Sequence, residues 1–506
     1  MARDFYSLAA ARRSLGHFAG GKLVSAAIGF AYLLTTVRSM EPGDYGRYVA
    51  VLATCEIFYL VTGLGLSTVA QRYVAEYRVR ALAEAFCTFL NAALRRRLLL
   101  SIGFVLVLML LWTPLMSLTG LALDPAWRPA IALLLVANAG VAFLEEVMGA
   151  LLLQGYSQAL GIARNLAKLA IAGGLVVGGL GLTLGAVLLM ECAVATSSWL
   201  AAEFVVRRWA RRAPSSAQAR EHFASPRMDR VALRFYLVQL LGQAYGTNMV
   251  KLLVTRLLGA TQTAALGVAQ SLADMLRNYM PAHLLAAWVR PIMVARYVER
   301  RDVGELSQIA NLVLKLNLLG LMPAAAAFAV VGDPLLSWLT AGRYPTLGLL
   351  LALLAGLAVL QSAHLLLTMI TLTLEQPGVS LRATLAAAAT LPVLVAAMMG
   401  FGLYGAALGL ALGEAVWVGV AWALLHRRGF ALHFDLAGSC KVGAAALAAG
   451  LVGAAALRVD PGLPWAAAAA AMALSYLVAL LLLRPAAPSE IAMVRRLIAS
   501  RRPPGP

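Results

Sequence analysis

Lys251 stands on a ladder of polar residues, Gln239, Gln243, Thr247, Lys251 and Thr255, each four positions from the last. The next apolar stretch carries Gln270, Asp274, Arg277 and Pro281 on one narrow helical stripe, and the first holds Lys22, Ser25, Gly29, Tyr32 and Thr36 at alternating spacings of three and four. Spacings of three and four put side chains on one helix face. An ionisable group inside lipid costs about 2.5–3.5 kcal/mol on insertion scales, so its place is a bundle interior or a wet cavity. One acid, Asp274, cannot neutralise both Lys251 and Arg277, which leaves net positive charge for an anionic ligand. Arginine grips phosphate oxygens bidentately and lysine acts as a point charge. The expected anion-binding set is therefore Lys22, Arg38, Lys251, Arg256, Arg277 and Lys315.

A second set is acidic. Glu56, Asp274, Glu191 and Glu414 fall within apolar stretches, where a carboxylate suits a coupling proton or cation. Each residue also has a plainer reading. Asp274 and Arg277 are one turn apart and can neutralise each other. Lys22 can snorkel to the interface, and Arg38 and Arg256 sit at helix ends where an anchor suffices. Glu145, Glu146, Glu191, Glu203 and Glu414 can all be inter-helix hydrogen-bond partners. Both readings stand at this level.

Enzyme chemistry has no foothold. No GxxxxGK[ST] phosphate loop, HExxH, CxxC or GxSxG pattern occurs, and no histidines pair at metal-ligand spacing. No catalytic residue, metal or cofactor is expected. The four cysteines, Cys55, Cys87, Cys192 and Cys440, imply no disulfide framework.

The elements that position these groups follow from composition. Of 506 residues, 61% are hydrophobic and 13% charged, against about 25% charged in a soluble chain. Apolar runs of about 18–25 residues mark spanning helices. Fourteen occur, near 16–37, 48–70, 98–118, 129–152, 165–181, 184–206, 235–255, 264–288, 309–331, 346–372, 383–401, 404–425, 442–457 and 464–483. The expected fold is all-α and polytopic.

Orientation follows from Lys and Arg alone. With the N-terminus inside, 33 of the 42 basic residues fall on the inner side, including Arg164 and Lys168 around the start of the fifth run, and six on the outer. Both termini are expected in the cytoplasm. The densest basic stretch, Arg207–Arg234, reads as a linker that signals topology and meets anionic lipid headgroups. A nucleic-acid partner is not expected. The longest outer loop, about Gly332–Pro345, leaves little room for an extracytoplasmic catalytic domain.

The chain also repeats itself. Arg38 and Glu56 recur as Arg256 and Asp274, Pro114-Leu-Met-Ser-Leu-Thr-Gly as Pro334-Leu-Leu-Ser-Trp-Leu-Thr-Ala-Gly, and Gly181-Leu-Thr-Leu-Gly-Ala with Glu191 as Gly402-Leu-Tyr-Gly-Ala-Ala with Glu414. The offsets drift one way, as small insertions produce. Two six-helix units in parallel orientation follow. The division expected is an N-lobe over 1–206, a linker over 207–234, a C-lobe over 235–425, a cytoplasmic loop over 426–441, two further helices over 442–483 and a basic tail over 484–506.

The stretch Leu33-Leu-Thr-Thr-Val-Arg38-Ser-Met-Glu-Pro-Gly-Asp-Tyr-Gly-Arg-Tyr48, followed by Gly63-Leu-Gly-Leu-Ser-Thr-Val-Ala-Gln-Arg-Tyr-Val-Ala75, resembles the opening of polysaccharide flippases. These form the O-antigen/teichoic-acid branch of the multidrug/oligosaccharidyl-lipid/polysaccharide exporter superfamily. The Gly402 segment is similar to that family's junction of helices 11 and 12. The resemblance implies two lobes around a cationic cavity in a bacterial cytoplasmic (inner) membrane. They would move a polyprenyl-diphosphate-linked oligosaccharide to the outer leaflet, with a polysaccharide polymerase and glycosyltransferases as possible partners. A multidrug exporter of the same superfamily, and a non-transporting part of a polysaccharide-synthesis complex, are the alternatives.

Overall fold

The computed structural model describes residues 8–67, 70, 74, 83–151, 153–212, 236–284, 289, 293, 297, 299, 301–486 and 490. The side chains of 8–19 and 83–85 are not among those described, and the expected linker 207–234 lies beyond them from residue 213 on. The elements are α1 (Leu8–Ser39), α2 (Pro42–Gly63), α3 (Ala83–Leu110), α4 (Trp112–Thr119), α5 (Arg128–Ala150), α6 (Gln154–Val177) and α7 (Leu184–Arg212). There follow α8 (236–244), α9 (Thr247–Leu258), α10 (Ala260–Tyr279), α11 (Pro281–Leu284), α12 (Val303–Leu339) and α13 (Gly348–Thr373). The last are α14 (Pro377–Ala388), α15 (Leu391–Arg427), α16 (Leu436–Val459) and α17 (Trp465–Leu483). The described residues contain no strand. The protein is all-helical and crosses the membrane many times, as a chain must when hydrocarbon offers its backbone no partners.

Each of the fourteen apolar runs has a helical counterpart. Among the described residues nine helices are long and apolar enough to span, or ten if α3 and α4, bent by 79° at Leu111, make one crossing. One of the nine stretches, Pro377–Arg427, holds both the eleventh and twelfth runs. They part at Gly402, whose φ of 57° and ψ of −132° leave helical space. That region is essentially restricted to glycine.

Several helices extend beyond their apolar runs. The fifth run starts near residue 165, yet α6 begins at Gln154, so Arg164 is a helical residue and Lys168, counted with the inner bases, lies well inside the helix. Likewise α3 takes in Arg95, Arg96 and Arg97. The polar ladder of the seventh run is interrupted at Tyr245–Gly246, where α8 gives way to α9. The helix α12 reaches Leu339 and shortens the outer loop to 340–347.

The chain forms two compact units, Met1–Ala265 and Leu266–Pro506. In the first, α3, α5 and α7 meet through Phe86, Phe89, Leu90, Phe143, Leu144, Val147, Met148, Leu151 and Val206. The helix α1 lies along α6, and α2 packs on α9. Close approach there depends on Gly46, where a Cβ would fall 1.8 Å from the Ala260 carbonyl oxygen. In the second, α12 packs against α13, α16 and α17, and α15 against α13 and α14. The last two helices, α16 and α17, are thus docked on α12, partly through Tyr476, which donates to the Leu319 carbonyl at 3.1 Å.

Candidate functional site

The first unit encloses a cavity of about 400 Å³ whose polar lining comes from five helices. The bases are Arg164 and Lys168 from α6 and Lys251 from α9. The carboxylates are Glu56 from α2, Glu145 from α5 and Glu191 from α7, and Asn138, Asn165 and Asn248 complete the lining. Three bases face three carboxylates. The cationic character expected of such a site is here a balanced field of donors and acceptors.

Glu191 is the most heavily engaged of these groups, 2% exposed. Lys168 Nζ lies 2.7 Å from its Oε2, and the Tyr48 hydroxyl donates to Oε1 at 2.7 Å. Tyr32 donates to the same oxygen at 3.3 Å. A buried carboxylate is tolerable only with such pairing. Arg164 pairs with Glu145 at 3.0 Å, and Asn165 donates to the Ser25 carbonyl and hydroxyl at 3.1 and 3.0 Å. The polar stripe of α1 therefore meets α6 and α7: Ser25 takes Asn165, and Tyr32 takes Glu191.

Tyr59 also lines the cavity, and its hydroxyl donates to Glu146 at 2.7 Å. Arg97, 3% exposed, donates to the Tyr59 carbonyl at 2.9 Å and lies 4.2 Å over its ring. Sequence reasoning counted Arg97, Arg164 and Lys168 as cytoplasmic loop bases. A signal did exist for the last two, since Arg164, Asn165 and Lys168 share one face four residues across, and an apolar helix follows directly.

The other expected site residues are distributed as follows. Lys22 is half-buried on α1, and Arg38 is exposed in that helix's last turn. Arg256 is exposed in the last turn of α9, with its backbone against Gly120. Arg277 and Asp274 belong to the second unit, where they pair at 2.9 Å and Arg277 also donates to Gln361 Oε1. Glu414 meets His364 Nδ1 at 2.6 Å. The structure thus brings Glu56, Glu191 and Lys251 together in one cavity.

Lys315 has a different setting from the cargo-facing one expected. It is 5% exposed and donates to Asp435, to Glu490 Oε2 at 2.7 Å and to the Pro485 carbonyl at 3.2 Å. Two residues of the same α12 face continue the contact. Asn311 donates to the His433 carbonyl at 2.7 Å, and Ser307 accepts from the His433 amide at 3.3 Å. Lys315 is an anchor for the segments on either side of α16 and α17, and its charge is already shared by two carboxylates.

The sequence profile described as polysaccharide biosynthesis protein matches residues 12–288, more than half of the chain. The chain belongs to the polysaccharide biosynthesis protein family. No match is found among curated protein sequences. Among solved structures, the lipid II flippase MurJ in an inward closed conformation aligns with a TM-score of 0.67 at 11% identity, covering 92% of this chain and 98% of MurJ. An inward-facing multidrug resistance MATE transporter of the MOP superfamily aligns at 0.58 and 15% identity, covering 80% and 94%. A MOP superfamily transporter from Pyrococcus furiosus, noted for reversed polarity of its binding pocket, aligns at 0.56 and 13% identity over 82% and 95%. This member of the polysaccharide biosynthesis protein family has the fold seen in MurJ and in MATE transporters of the MOP superfamily.

Proposed function

We propose that this protein is a flippase that moves a polyprenyl-diphosphate-linked oligosaccharide across a bacterial cytoplasmic membrane by alternating access, for cell-surface polysaccharide. The observation that carries this reading is the first-unit cavity, where bases, carboxylates and amides line one membrane-embedded space. Sugar hydroxyls need paired donors and acceptors, and a diphosphate needs bases that can leave their present partners. Arg164, Lys168 and Lys251 supply the bases, while the lipid tail stays in hydrocarbon. Arg277 and Lys22 remain candidates for phosphate contacts, with Arg38 and Arg256 as helix-end bases. Glu56, Glu191, Asp274 and Glu414 remain candidates for a coupling proton or cation. The family membership and the resemblance of Leu33–Tyr48 to polysaccharide flippases point the same way.

The basic count supports both termini in the cytoplasm. Moving Arg95, Arg96, Arg97, Arg164 and Lys168 into helices takes five bases from the inner side and leaves the bias intact. Anionic lipid is the expected partner of the cleft lined by Phe204, Arg207, Arg208, Arg211 and Arg212. A polymerase and glycosyltransferases are the expected protein partners, and lipopolysaccharide O-antigen is one candidate product.

Drug export is the second reading, favoured by the three cavity carboxylates, which suit organic cations. A single experiment separates the two. Deletion of the chain from its host should abolish surface glycan and accumulate lipid-linked oligosaccharide inside, and reconstituted protein alone should flip that lipid. Normal glycan display with raised sensitivity to cationic drugs would favour the exporter. Flipping by the purified chain would also exclude a role solely as a scaffold.

A further inference from the structure

Glu191 and Glu414 occupy matching positions in the internal repeat, yet their partners differ in kind. Glu191 is held by the ammonium of Lys168. Glu414 on α15 is held by His364 on α13, with Nδ1 at 2.6 Å from Oε2. The imidazole lies flat on the Trp417 indole, one turn from Glu414, with centroids 3.6 Å apart and planes 11° apart. Trp417 is itself buried and donates from Nε1 to Thr384 Oγ1 of α14 at 3.1 Å. His364 is the sole charged or titratable residue of α13, and the remaining ones of α15, Tyr404, His426 and Arg427, are spaced well away from Glu414 along that helix.

We infer that His364 and Glu414 form a proton-binding site in the second unit. Histidine is the side chain that changes charge between pH 5 and 8. With one proton aboard, the pair is net neutral, as imidazolium with carboxylate or as imidazole with carboxylic acid. Without it, a net negative charge is left among apolar helices, a form that needs water or a cation nearby. Proton occupancy and water access are therefore linked at this pair, as a proton-coupled transporter requires.

The groups on neighbouring elements do not duplicate this function. On α12, Lys315 is held by Asp435 and Glu490, and Asp333 accepts from the Gly348 amide at 2.7 Å at the far end of α13. Glu305 lies in the first turn of α12, α14 has Arg382, and α11 has His283. Arg277 of α10, paired with Asp274, reaches Gln361 one turn before His364.

The coupling role rests on the transport reading above, but proton binding can be measured without cargo. Indole fluorescence of the purified full-length chain is titrated from pH 9 to pH 5, and the curve of Trp417→Phe is subtracted to isolate Trp417. An imidazolium stacked on indole quenches it, so the difference should fall sigmoidally between pH 8 and 5. It should vanish in His364→Gln, which keeps a donor for Glu414, and its midpoint should move to lower pH in Glu414→Gln, which removes the stabilising carboxylate. Trp422, stacked on His426 at 5.9 Å, is present in both curves and cancels. A flat difference, or one that persists in His364→Gln, would overturn the site. If Trp417→Phe does not accumulate, infrared titration of the carboxylate band lost in Glu414→Gln decides in its place: a band independent of pH and of His364 overturns the proposal. Either failure leaves the flippase reading standing, and failed glycan complementation leaves the proton site standing.

Discussion

Lys168 and Glu191, 23 residues apart on adjoining helices, form a 2.7 Å ion pair in the wall of the first-unit cavity. Removing one partner leaves a buried charge alone, which costs about 3–5 kcal/mol. Glu191→Gln and Lys168→Met should each lower the thermal unfolding midpoint in detergent, and the double variant should recover part of the loss. Additive losses would show that the two groups are stabilised independently.

Lys251 lines the same cavity from α9. Losing one charge-assisted contact to cargo is worth about 1.5–3 kcal/mol, or about ten- to a hundredfold in transport. Lys251→Ala should reduce surface glycan by that order, Lys251→Arg should retain most of it, and Lys251→Glu should be the most damaging. Immunoblotting of surface glycan at matched protein abundance is the measurement. Full display by a well-expressed Lys251→Ala/Arg164→Ala variant would place the phosphate elsewhere.

Lys315, Asp435 and Glu490 fasten the end of the chain to α12. Lys315→Met leaves two carboxylates facing each other, so it should destabilise more than Glu490→Gln, which leaves the Asp435 pair intact. The Gly438 amide and Lys315 hold the Asp435 carboxyl below the usual carboxylate range. That stability is complete above the unfolded value of about 3.9 and is lost as pH falls through the lower folded value. Asp435→Asn should therefore lower the unfolding midpoint at pH 7, with the difference closing in strong acid.

Gly402 turns the chain between the eleventh and twelfth runs in a conformation that side chains resist. Gly402→Ala should cost about 1–3 kcal/mol and reduce the folded fraction in the membrane. Fluorescence-detected size-exclusion of a tagged chain would report it, and an unchanged profile would contradict the strain.

A cysteine placed at Ser215 should be shielded from an impermeant reagent in intact cells and labelled after permeabilisation, as the basic count requires. Labelling from outside would invert the topology.

Much of the architecture is local and so is legible in sequence. Fourteen apolar runs become helices because a chain in hydrocarbon must satisfy its backbone within each segment, and hydropathy reads that segment by segment. The break at Gly402 is equally local, a dihedral requirement at one residue. Side-chain partnership is not local. Arg97, Arg164 and Lys168 read as loop bases because apolar windows end where charges begin, whereas a helix continues through charges that find partners on its neighbours. Lys315 read as a cargo base because Asp435 and Glu490 are 120 and 175 residues away. Glu414 was visible, but its pairing with His364 depends on which faces of α13 and α15 meet. Sequence determined the helices and the family. Tertiary structure alone decided which charges neutralise one another, because ion pairing falls off within a few ångströms and those distances exist only once the helices have packed.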